Sequence, residues 1–172
     1  MTSIIKVDTL QKANGATPTA ADLGINTTGN VIHTEMFTNA QDQDVQTNSW
    51  TQVWTFSYTP KLTNSKLIFS SSLDLRGQRS TGGSHDARFD YRIYTGGNLQ
   101  FYRSNCGHYD YGGSGAWHKG NFVDNCQYIN TNGSAVTWTL NIKTGNSTGI
   151  RFNEISGGTN PHSTCVVTEI AV

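Results

Sequence analysis

Between Asn105 and Asn121 the chain reads NCGHYDYGGSGAWHKGN, with two tyrosines, a tryptophan, two histidines and a cysteine set among glycines. Tyr109, Tyr111 and Trp117 are rings with a polar handle, suited to stacking on a sugar face or on a partner's apolar surface. Asp110, His108 and His118 would add directional hydrogen bonds. Glycine permits backbone geometry that lets such side chains reach positions a strand denies them. The competing reading is that these rings turn inward as a small satellite core, or pack against a neighbouring subunit, the commoner fate of aromatic residues.

Other residues raise other chemistries. Cys106 and His108, with His118 and Cys126 downstream, can be drawn as four zinc ligands. Zinc sites use tight paired spacings, and this spacing matches none, so ordinary thiols and solvent-facing imidazoles are expected. Asp42 and Asp44 supply too few oxygens, and no placed glycine, for a calcium loop. The stretch RGQRSTGGSHDAR holds Arg76, Arg79, His85, Asp86 and Arg88. An arginine fork there would grip a carboxylate-bearing sugar, and the alternative is a solvated hairpin tip with scattered ion pairs. Asn26, Asn132 and Asn146 satisfy the glycosylation pattern, but no secretion signal leads the chain to a glycosylating compartment. No nucleophile elbow, phosphate loop or paired acid and base is visible, so no enzymatic activity and no cofactor or metal are expected.

The elements that must position these residues are strands. Hydrophobic residues make up 35% of 172 residues and charged ones 14%, with a formal net charge of zero. Such a chain has no basic field for nucleic acid. It has no apolar run approaching the ~18 residues of a membrane helix, so no membrane insertion is expected. Three cysteines at wide spacing do not suggest a disulfide framework. From Trp50 onward apolar residues recur at period two, the pattern of half-buried strands. In WTQVWTFSYTP, Trp50, Trp54, Phe56 and Tyr58 fall on one face and Thr51, Val53, Thr55 and Ser57 on the other, with Pro60 ending the run.

The same alternation places Leu67, Phe69, Leu73 and Leu75 together, sets Phe89, Tyr91 and Ile93 against Arg88, Asp90, Arg92 and Tyr94, and groups Val136, Trp138, Leu140 and Ile142. Gly96 and Gly97 offer a hairpin turn, with NLQFYRSN as the return strand. GIRFNEISGG and STCVVTEIAV complete the series. Regular short strands with Gly, Asn and Ser turns predict an antiparallel β-sandwich or barrel. The first forty residues differ, being turn-rich, and a segment of that kind cannot bury a core of its own.

That opening, SIIKVDTLQKANGATPTAADLGINTTGNVI, resembles the start of small structural and fibre-type virion proteins of tailed bacteriophages, especially marine and cyanobacterial ones. The shared features are a Ser-x-Ile-x-Val-x-Thr-Leu-Gln run, a glycine turn, a Thr-Pro-x-x-Ala-Asp-Leu stretch and Asn-Thr-Thr-Gly, covering about the first 32 residues. The terminal CVVTEIAV is similar to the closing strand of their jelly-roll modules. The resemblance implies a homotrimeric virion appendage, assembled in a host cytoplasm. A docking arm over residues 1–35, with Ile4, Ile5, Val7, Leu10 and Leu23 meeting other virion proteins, would precede a jelly-roll-like β-sandwich over residues 36–172. The expected role is a short fibre or tail adhesin that recognises a host-surface glycan or protein through Tyr109, Tyr111, Trp117 and Arg79. The rival role is a capsid decoration protein or head fibre that clamps neighbouring capsomers.

Overall fold

The structure is a computed structural model describing residues 11, 13–16, 28–78, 88–106, 117–145, 149–153 and 163–172. The expected all-β antiparallel sandwich is what these residues form. The strands are β1 (Val31–Asn39), β2 (Gln43–Val45), β3 (Thr51–Tyr58), β4 (Ser65–Gln78), β5 (Phe89–Thr95), β6 (Asn98–Cys106), β7 (Trp117–Asn130), β8 (Val136–Thr144), β9 (Gly149–Phe152) and β10 (Ser163–Ala171). One sheet has four strands in the order β3-β8-β5-β6. The other has six, arranged about the long strand β4. Along one edge β4 pairs with β10 and then with β9, and along the other it pairs with β7 over its full length. β1 and β2 lie outside β10 and β9.

Alternation decides what fills the space between the sheets. Leu67, Phe69, Leu73 and Leu75 of β4 meet Phe89, Tyr91 and Ile93 of β5 and Val136, Trp138, Leu140 and Ile142 of β8, all of them buried. Each such side chain contributes roughly 1.5–3 kcal/mol by leaving water. Cys165 and Val167 of β10 join the same core, so the final strand sits between β1 and β4. The β5–β6 hairpin turns at Gly96 and Gly97, whose φ values of 57° and 79° suit glycine. A Cβ at Gly96 would also lie 2.7 Å from the Tyr128 ring.

Two carboxylates tie the sheets together. Glu169 of β10, fully buried, accepts the Tyr58 hydroxyl from β3 at 2.7 Å and the backbone N–H groups of Lys61 and Leu62 at 2.8 and 2.9 Å. Asp124 of β7 accepts the Tyr91 hydroxyl from β5 at 2.5 Å and pairs with Arg103 of β6 at 3.0 Å. In both, a tyrosine of the four-stranded sheet donates to a carboxylate of the six-stranded one.

Three expectations need correction. The alternation of β3 breaks at Val53, where the pairing with β8 shifts by one residue between Gln52 and Trp54. An extra residue in one strand turns the preceding side chains over. Val53 is therefore buried beside Trp54, while Trp50 leaves the core face it was assigned to and meets Arg92 and Lys143 on the outside. Trp117 opens β7 opposite Gln78 instead of lying in a loop, because β7 matches β4 residue for residue as far as that pair. The sheet also begins at Val31, inside the segment assigned to the arm, since β1 pairs with β10 from Val31 to Asn39.

Candidate functional site

The outer face of the four-stranded sheet gathers side chains that no core explains. Register aligns Gln52 of β3 with Asn141 of β8, Asn141 with Arg92 of β5, and Arg92 with Tyr102 of β6. Two carboxamides, a guanidinium and a phenol thus form one row across all four strands, spanning about 14 Å at the usual strand spacing. The adjoining row pairs Asp90 with Lys143, and Trp50 caps it from the segment before β3.

The cluster is ordered from within. The Arg92 Cζ lies 4.2 Å from the centre of the Trp50 ring and 5.0 Å from that of Tyr94, so the guanidinium lies against two aromatic rings. Lys143 Nζ lies 4.9 Å from the same indole and 3.2 Å from Asp90 Oδ2. The Tyr102 hydroxyl donates to that oxygen at 3.3 Å, and its ring meets Trp50 edge-on at 6.0 Å between centres. Cation–π contacts of this kind are worth roughly 0.5–2 kcal/mol, more as they are shielded from water. Asp90 therefore anchors Lys143 and Tyr102, while Arg92 is positioned by the rings and makes no hydrogen bond or ion pair among the described residues. Its Nε is buried without a partner, and half of Tyr102 remains exposed.

This arrangement offers no nucleophile beside a base. What it offers is recognition: a half-exposed ring for stacking, carboxamides for hydroxyl groups, and a guanidinium edge for an acceptor. At the β3 edge the face continues into a groove of about 250 Å³ lined by Asn39, Gln41, Gln43, Gln52 and Thr55 above Val53 and Trp54. The strand ends beside the cluster, at Phe89, Cys106 and Thr144, are those from which the chain runs on to residues 79–87, 107–116 and 146–148.

Most residues singled out from the sequence fall elsewhere. Arg79, Tyr109, Tyr111, His85, Asp86, His108, Asp110, Asn26 and Asn146 lie outside the described residues, as do Ile4, Ile5, Val7, Leu10 and Leu23 of the expected arm. Trp117 and His118 are placed by their backbone in β7. Arg76 sits in β4 with its Nε 3.8 Å from Asp74 Oδ1, and the Arg88 carbonyl accepts the Gly145 N–H at 3.0 Å. Asn132 belongs to the turn after β7, where its side chain accepts the Ser134 N–H. Asp42 and Asp44 are exposed at β2, and Asp44 accepts Gln46 Nε2 at 2.9 Å. Of the drawn zinc ligands, Cys106 is buried in β6 and Cys126 half-buried in β7, where its sulfur contacts Thr95 Oγ1 at 3.6 Å. Among the described residues no three His, Cys, Asp or Glu side chains converge. Burial pushes the Cys106 thiol up to about 11 and raises Cys126 and Cys165 as well, so these thiols stay protonated near neutrality.

The face itself escaped the sequence reading. Asp90, Arg92, Tyr94 and Lys143 were assigned to the polar sides of their strands, but nothing marked Tyr102 as their neighbour or Trp50 as their support. Among known proteins, no family model matches this chain and no curated protein matches it.

Proposed function

We propose that this chain is a non-enzymatic virion protein of a tailed bacteriophage, a short fibre or tail adhesin that recognises a host-surface glycan. The observation that carries the recognition half is the outer face of the four-stranded sheet, where Trp50, Arg92 and Tyr102 form an ordered polar and aromatic platform. Sugars present an apolar face ringed by hydroxyl groups, which suits a half-exposed ring beside carboxamides. The virion half rests on the resemblance of the first 32 residues, and residues preceding Val31 would form the docking arm.

Strand order supports a jelly-roll reading. The sheets run β3-β8-β5-β6 and β1-β10-β4-β7, so from β3 to β8 the chain passes back and forth between them except at the β5–β6 hairpin, with β9 as an added strand before β10. A homotrimer is supported by the outside of the six-stranded sheet. There the rows Met36–Val166–Ser70–Asn125 and Val31–Ile170–Lys66–Ile129 carry no carboxylate and expose Met36, Val31 and Ile129. A surface of this kind suits burial between copies, and three weak sites would then act together, raising avidity roughly 10²–10⁴-fold.

The same apolar face favours a second reading, a decoration protein that covers capsomers. Fluorescently labelled protein applied to host cells separates the two. The adhesin reading expects cell binding that falls when Tyr102→Ala and Trp50→Ala are combined, with the Tyr109→Ala/Tyr111→Ala/Trp117→Ala variant reporting on the loop. Failure of the wild type to bind, together with copy numbers proportional to capsomers and heads that leak under osmotic shock without it, would establish the decoration role instead.

A further inference from the structure

The row Gln52, Asn141, Arg92 and Tyr102 carries a chemical preference beyond sugars in general. Among the described residues Arg92 is the unmatched member of the face. Lys143 has Asp90 at 3.2 Å, whereas Arg92 has two rings and, among the described residues, no carboxylate. Among the described residues, counting Arg92 and Lys143 against Asp90 leaves the cluster one positive charge in excess. A guanidinium lying over an indole uses its π face on the ring and keeps its N–H donors in its own plane, directed sideways. A planar carboxylate meets that edge with two parallel hydrogen bonds, which a lone hydroxyl cannot do. The buried Arg92 Nε has no partner among the described residues, and a group of that kind calls for one, which a ligand is able to supply.

The flanking residues say what bears the carboxylate. Gln52 and Asn141 on one side offer both donors and acceptors, as hydroxyl groups require, and Tyr102 on the other offers an exposed ring. The carboxamide groove at the β3 edge shares Gln52 with the row and prolongs it beyond the sheet. Stacking surface, carboxylate fork and hydroxyl partners thus follow one another along a line crossing the strands.

We propose that this row is a subsite for an acidic polysaccharide whose uronic-acid carboxylate docks edge-on to Arg92 while a neighbouring sugar stacks on Tyr102 and further units run over Asn141 and Gln52 into the groove. The proposal rests on the glycan-recognition reading above and narrows it to one class of sugar. Lys143, held by Asp90, sets the positive field without touching the carboxylate, and Trp50 positions Arg92.

The test is affinity electrophoresis of the full chain through gels containing polygalacturonate, carboxyl-reduced polygalacturonate or dextran sulfate, with thermal melting of each variant as the folding control. Retardation by polygalacturonate is expected to vanish on carboxyl reduction. Arg92→Ala should weaken it at least tenfold, and Arg92→Lys should weaken it nearly as much, because the charge remains but the fork is lost. Should Arg92→Ala fail to fold, Arg92→Gln and Gln52→Ala report on the same row. No retardation of the wild type, equal retardation by the reduced polymer, or full rescue by Arg92→Lys would each overturn the proposal, as would dextran sulfate binding as tightly as polygalacturonate. Host-cell binding that depends on Tyr102 without any response to polygalacturonate would leave the adhesin reading standing and sink only the acidic-sugar assignment.

Discussion

The two outer faces of the sandwich are built from the same alternation and carry opposite chemistry. Over the four-stranded sheet, Trp50, Arg92, Tyr102, Lys143 and Asp90 interlock through ring, cation and carboxylate contacts. Over the six-stranded sheet, where β1, β10, β4 and β7 run side by side, threonines and serines alternate with Met36, Val166, Ile68 and Ile129, and Lys66 brings the charge. An interior packed with Trp138, Phe69 and Leu140 lies between them. Side chains that are neither core nor solubilising are free to be chosen for partners, and the difference fits the proposal of a different kind of partner on each side. One face has the polarity of a ligand platform, the other the low charge of a protein contact.

The largest effect would come from removing what both faces share. Glu169→Ala leaves the Tyr58 hydroxyl and the N–H groups of Lys61 and Leu62 without their acceptor. Each stranded buried donor costs roughly 1–3 kcal/mol, so a loss of about 3 kcal/mol or more is expected in urea denaturation. Both faces should then fail together. A variant that keeps its urea midpoint would show that the tie between the sheets is dispensable.

A smaller effect, confined to one side, is expected from Met36→Asp combined with Val123→Asp. Both residues are exposed on the six-stranded sheet, so the folded monomer should tolerate the change within about 0.5 kcal/mol per site. Sedimentation should show self-association weakened by tenfold or more, while polygalacturonate binding per chain is retained. If association is untouched, and Arg92→Ala weakens it instead, the roles of the two faces are reversed.

How much of this was legible follows from where alternation holds. In β4, β5 and β8 the period-two reading placed Leu67, Tyr91 and Trp138 inside and Arg92 and Lys143 outside, as observed. It failed at Trp50 because a one-residue bulge at Val53 leaves no mark in composition, yet it inverts every side chain before it. β1 went unread because VIHTEMFTN is an edge strand with mixed faces, and its pairing with β10 lies far away in sequence. The face itself depends on register: Arg92 and Tyr102 become neighbours only because the β5–β6 hairpin aligns them, and Lys143 joins from forty residues further on. Cross-strand register is a property of tertiary pairing, and a linear pattern does not state it.

pH separates the shared interior from the faces. Burial alone would raise Glu169, but hydrogen bonds from the Lys61 amide, Tyr58, the Leu62 amide and Ser65 outweigh it and hold the carboxyl below its ordinary value of 4.5. Its stabilising contribution is present above that value and is lost as pH falls through the lower folded one. Tyr58 and Tyr91 are raised by burial and by donating to Glu169 and Asp124, so their contribution is full below 10.0 and fades as pH rises beyond it. Melting temperature should therefore fall on both sides of a neutral plateau. Glu169→Gln should flatten the acid limb and Tyr58→Phe should make the alkaline one shallower, with Tyr91 keeping its share, whereas Arg92→Gln should leave both limbs in place.

The smallest effect sharpens the comparison within the four-stranded face. Beyond the cluster that face is a ladder of hydroxyls, with Thr139 Oγ1 at 3.2 Å from Thr55 Oγ1 and Thr137 Oγ1 at 3.1 Å from Ser57 Oγ. These exposed pairs trade bonds with water readily, and valine keeps the branched shape that a strand favours. Thr139→Val should change stability by no more than about 0.5 kcal/mol. Thr139 pairs with Tyr94 in the row next to that of Arg92 and is no member of the ligand row, so polygalacturonate binding should also be unchanged. A loss of affinity as large as that of Arg92→Ala would mean that the ladder contacts the ligand too, and that recognition belongs to the whole sheet surface instead of to one row across it.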